Sequence, residues 1–113
     1  MSTSLKHEEE PAIVCTLTEP ELRERRAGLL RDLRERVEEI RELESGLAFA
    51  LPGDDAALAL ATEVIRLERR CCAFLRFRLD VRPDSAPFWL EITGPEGTRE
   101  MIRTMFGLAE SQA

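Results

Sequence analysis

The stretch Glu68-Arg69-Arg70-Cys71-Cys72-Ala73-Phe74-Leu75-Arg76-Phe77-Arg78-Leu79-Asp80-Val81 changes its hydrophobic period part-way along, and that change decides the fold. Upstream of it, Ala57, Ala61, Val64, Ile65, Cys71 and Cys72 gather on one side of a helix at about 100° per residue, with Thr62, Glu63, Arg66, Arg69 and Arg70 on the other. Downstream, Leu75, Phe77, Leu79 and Val81 alternate with Arg76, Arg78, Asp80 and Arg82, as in a strand with one wet face. The two cysteines stand where helix gives way to strand. The angular count also puts Glu68 near the middle of the apolar side, one turn before both cysteines.

A carboxylate on an apolar face needs a reason, because an isolated buried charge is expensive. It pairs with an arginine from another element, accepts backbone N–H groups, or serves as a ligand or proton carrier for the cysteines beside it. The cysteines carry a similar choice. Buried Cys is common as a small apolar filler, whereas two thiolates are soft donors for copper(I), zinc, mercury(II) or arsenic(III). Neighbours on a regular helix diverge by about 100°, so both thiols converge most easily where the helix unwinds. A helix C-terminus has the wrong dipole sign to activate a thiol, so a reactive thiolate needs Arg69, Arg70 or a metal.

Working outward, Pro83 to Pro87 makes a turn, and Phe88, Leu90 and Ile92 alternate with Trp89, Glu91 and Thr93 in a further strand. Arg76, Arg78, Arg82 and Trp89 share one face of this hairpin, which is read as solvated or as a dimer contact. Thr93-Gly-Pro-Glu-Gly97 is a turn and matches neither phosphate-loop pattern. Thr98 is the expected N-cap of a last helix packed through Met101, Ile102, Met105 and Leu108. Before the cysteine helix, which Asp54 or Asp55 caps, Leu47 to Leu51 alternates as a strand ended by Pro52-Gly53. Thr18-Glu-Pro-Glu21 has the form of a capping box. It opens a long helix whose stripe runs Leu22, Leu29, Leu30, Leu33, Val37, Ile40 and Leu43 to a stop at Ser45-Gly46. Residues 12–17 read as a first strand with Ile13, Cys15 and Leu17 on one side. Residues 1–10 read as a flexible leader containing the only histidine, His7.

The expected order is therefore β-α-β-α-β-β-α in a single domain over 11–113. The fold class is α+β (or α/β), a two-layer sandwich of a four-stranded mixed sheet and three helices lying mainly on one face.

With 113 residues, 43% hydrophobic, the chain can close one core without staples. A net charge of −6 with 34% charged residues of both signs argues against a general nucleic-acid or anionic-membrane binder. No run approaches the roughly 18 to 20 apolar residues of a membrane helix, and no signal peptide is read at the N-terminus. The expected address is the cytoplasm, where three cysteines suit thiol or metal chemistry better than a disulfide framework. There is no serine–histidine arrangement, no cofactor loop and no H-E-x-x-H pattern.

Glu68-Arg-Arg-Cys71-Cys72-Ala-Phe74, followed by alternating strand residues and Thr93-Gly-Pro-Glu-Gly97, resembles a group of small uncharacterised bacterial proteins. That group shares a Glu-Arg-x-Cys-Cys-Pro-Phe signature and a Thr-Gly-Pro-Glu-Gly turn. Ala73 stands where that signature has proline, and the resemblance covers the second half of the chain. It implies a shared fold and cysteine site, and no activity.

Three functions stay open on this reading. The first is a thiol-based binding protein for a soft metal or metalloid ion (mercury, arsenic, copper(I) or zinc), with Cys71, Cys72, Cys15 and Glu68 as candidate ligands. The second is a small cysteine-dependent enzyme or redox protein with Cys71 or Cys72 at its centre and Glu68 moving protons. The third is a non-catalytic, dimeric interaction module with structural cysteines. A homodimer is expected in any of them, with no nucleic-acid or membrane partner.

Overall fold

The computed structural model describes residues 20–108. The elements are α1 (Pro20–Arg36), β1 (Glu39–Leu43), β2 (Gly46–Leu51), α2 (Asp55–Cys71), β3 (Arg76–Asp80), β4 (Phe88–Thr93) and α3 (Thr98–Phe106). The class is α+β, with three helices and four strands in the order α-β-β-α-β-β-α. The sheet runs β1-β2-β4-β3, and every neighbouring pair is antiparallel. It is antiparallel throughout, not mixed as the sequence pattern implies: two hairpins supply the outer pairs, and β2 and β4 join them with opposite directions. The strand expected over 12–17, the capping residue Thr18, the leader and Cys15 lie outside the described residues.

The fourth strand comes from a segment with a helical reading. Val37, Ile40 and Leu43 fit a spacing of three, yet α1 stops at Arg36 and the chain enters β1. The reason is tertiary. The strand Leu47–Leu51 is central and needs backbone partners on both edges. One partner is β4 and the other is residues 39–43, with Glu38 N–H already donating to the Ala50 carbonyl at 2.8 Å. The hairpin turn is therefore Glu44-Ser45, with Leu43 paired to Gly46 at the start of β2, and Ser45-Gly46 is not a helix stop. Glycine is required at 46 because a Cβ there would stand 1.8 Å from the Ile92 carbonyl oxygen.

The core lies between the helices and the sheet face that carries Leu47, Phe49, Leu51, Phe88, Leu90 and Ile92. Leu30 and Leu33 of α1, Ala57, Ala61 and Val64 of α2, and Ile102 and Phe106 of α3 close it from above. Phe106 meets Phe49 at a centroid distance of 5.1 Å and a 54° tilt, a favoured aromatic arrangement. On the opposite face Trp89 is half-buried beneath the Arg41 guanidinium, which lies 4.4 Å from the ring centroid in a cation–π contact. Thr98 is not the cap of α3. Gly97, at φ 95°, holds that position, and Thr98 is the first helical residue with its side chain buried. No helix among the described residues is long and apolar enough to cross a membrane.

Candidate metal centre

The helix α2 aims the site, and both of its ends are defined. At the start, the Asp54 carboxylate accepts the Ala57 N–H at 2.7 Å, the bond expected of an N-cap. That hydrogen bond, helped by Arg36, holds its pKa below the ordinary 3.8. The α2 faces match the angular count. Ala57, Ala61, Val64, Glu68 and Cys71 are buried, whereas Thr62, Arg66, Arg69 and Arg70 are exposed. At the other end Cys72 is the C-cap, with φ −127° and ψ 76°, and its N–H still donates to the Glu68 carbonyl at 2.7 Å.

That departure from helical geometry brings the thiols together. Cys71 Sγ and Cys72 Sγ lie 3.7 Å apart, well beyond the roughly 2 Å of a disulfide bond. Cys71 Sγ is also 3.8 Å from Glu68 Oε1. Glu68, Cys71 and Cys72 are 1%, 2% and 1% exposed. Their donor atoms all lie within 4.8 Å of one another, forming a buried group that could hold a metal ion.

The partner that a buried Glu68 demands is Arg26 of α1. Its Nε donates to Glu68 Oε2 at 2.6 Å and its Nη2 to Oε1 at 3.2 Å, a two-point grip on both carboxylate oxygens. The same Nη2 stands 3.9 Å from Cys72 Sγ. Among the described residues Arg26 thus brings a positive charge to the thiols, whereas Arg69 and Arg70 are exposed. A second bridge between the two helices, Arg25 to Glu63 at 2.8 Å, is exposed and adds little.

Sequence reasoning found Glu68, Cys71 and Cys72 but missed Arg26, although a signal was present. Arg26 lies four residues after Leu22 and three and four before Leu29 and Leu30, on the same apolar stripe of its helix. It is the mirror of Glu68, a charge on an apolar stripe facing an opposite one. The arrangement offers two soft sulfurs and one hard oxygen at a helix end, with a fixed cation behind the carboxylate.

Comparison with known protein families, curated proteins and solved structures finds no match to this chain.

Proposed function

We propose that this protein binds a thiophilic metal or metalloid ion through Cys71, Cys72 and Glu68. The observation that carries the reading is the convergence of their three donor atoms in a buried cluster at the unwound end of α2. Core filler needs no carboxylate beside the sulfurs, and a purely structural ion pair needs no sulfurs beside the carboxylate. Each thiol gives up its proton to solvent on binding, so affinity and proton release are linked. Native mass spectrometry of the reduced, full chain is expected to show one bound ion, lost in Cys71→Ser and in Cys72→Ser. Wild-type protein that takes up no thiophilic ion stoichiometrically overturns the proposal.

A second reading, cysteine-based redox or nucleophilic chemistry, draws on the Arg26 Nη2 that stands 3.9 Å from Cys72 Sγ, because a neighbouring cation stabilises a thiolate. The near-complete burial of both sulfurs favours an ion over an organic substrate.

A further inference from the structure

Sulfur spacing carries information about the ion itself. Two sulfurs bound to one tetrahedral centre at about 2.3 Å stand about 3.8 Å apart, whereas a linear centre with the same bond length would need about 4.6 Å and a trigonal one about 4.0 Å. The Cys71 and Cys72 sulfurs are 3.7 Å apart. The oxygen agrees. A tetrahedral centre with an oxygen at about 2.0 to 2.2 Å sets sulfur and oxygen about 3.5 to 3.7 Å apart, and Cys71 Sγ is 3.8 Å from Glu68 Oε1. The spacing fits a tetrahedral bite within about 0.1 Å and a trigonal one within about 0.3 Å, whereas a linear ion would have to spread the sulfurs by nearly an ångström within a closely packed site.

The composition of the donor set points the same way. A carboxylate oxygen beside two thiolates is a mixed hard and soft set, which suits borderline zinc better than copper(I) or mercury(II), for which sulfur alone is preferred. With both thiols deprotonated, the Glu68 carboxylate and the Arg26 guanidinium leave these four groups with two net negative charges. A divalent ion matches the charge of these four groups better than a monovalent one.

We infer that the ion held by Cys71, Cys72 and Glu68 is a tetrahedral divalent cation of the zinc class. This rests on the reading that the cluster binds a thiophilic ion, and it selects among such ions. On binding, the aquo ion exchanges water for two thiolates and one carboxylate oxygen, and the two thiol protons pass to solvent, with no change of oxidation state. Arg26 is a positioning residue that holds the carboxylate with Oε1 toward Cys71.

The test is cobalt(II) titration of the reduced full chain, followed by zinc back-titration and by parallel titrations with copper(I), mercury(II) and arsenic(III). The expected result is one equivalent of cobalt with the intense visible bands of a four-coordinate centre and thiolate charge-transfer absorption. One equivalent of zinc then abolishes both. In Cys71→Ser or Cys72→Ser, zinc affinity falls by about 100-fold or more. The wild-type spectrum decides the geometry even where a variant fails to fold. Weak six-coordinate cobalt bands, or stoichiometric mercury(II), copper(I) or arsenic(III) uptake with no cobalt or zinc binding, overturn the zinc-class assignment and leave the thiophilic-ion reading standing. No uptake of any of the five ions overturns both.

Discussion

Replacing Arg26 with methionine removes the guanidinium that grips both oxygens of a carboxylate only 1% exposed. Stripping one partner from a buried ion pair costs about 3–5 kcal/mol, because the remaining charge is left in a poor solvent. The Arg26 side chain is 21% exposed, so water screens part of the pair. The expected loss then falls to about 2–4 kcal/mol. Against a typical domain stability of about 5–15 kcal/mol that is a large share, and it lowers the melting midpoint by about 10–20 °C. The double variant Arg26→Met/Glu68→Leu removes both charges and recovers most of the loss. The cycle isolates the Arg26–Glu68 coupling from whatever else Arg26 touches, with an expected value of about 2–3 kcal/mol. Urea unfolding of metal-free, reduced protein, followed through the sole tryptophan, Trp89, measures all four corners. A single variant within about 0.5 kcal/mol of wild type, or a coupling energy near zero, refutes the claim that this pair keeps Glu68 in the core.

Asp54→Ala removes the cap of α2 and lowers the thermal midpoint. The folded pKa of Asp54 is depressed below 3.8, so its contribution is present above that ordinary value and lost as pH falls through the lower folded one. The gap between wild type and variant therefore closes on acidification in a pH-resolved melting series, and a gap that widens in acid contradicts the cap. Gly46→Ala drives a methyl group into the Ile92 carbonyl at the junction of the two hairpins. Its expected cost is about 3–4 kcal/mol in urea unfolding; a neutral effect would mean that the strands are not so closely paired. Thr98→Val exchanges a buried hydroxyl with no hydrogen-bond partner among the described residues for a methyl group. It is expected to be neutral or stabilising by up to about 1 kcal/mol, and a clear destabilisation in the same assay would reveal a partner for that oxygen.

The second half of the fold is legible in the sequence because burial there follows one period at a time. In α2 the buried residues recur at three and four; in β4 Phe88, Leu90 and Ile92 are buried and their neighbours half-buried. The segment 37–43 is not legible, because its apolar residues fit a helix by spacing and only the unpaired edge of β2 turns them into a strand. A one-dimensional pattern carries no record of a vacant edge. The site divides in the same manner. Glu68, Cys71 and Cys72 are within about one turn of each other, so their meeting is local. Arg26 is 42 residues from Glu68, and only the docking of α1 on α2 brings the pair together. What the sequence does contain is the anomaly at each end of it.

The burial of the two sulfurs turns them into clocks. A water-soluble thiol reagent reaches Cys71 and Cys72, 2% and 1% exposed, only when the fold opens locally, so the modification rate is an opening equilibrium multiplied by the intrinsic rate of an exposed thiol. Part of the latch on that opening is the Arg26–Glu68 grip, and each 1.4 kcal/mol or so removed from the latch speeds labelling about tenfold. The two sulfurs share one enclosure and become reachable in the same opening events. Their joint labelling times how often the buried end of the second helix opens to water, an event that the Arg26–Glu68 grip resists.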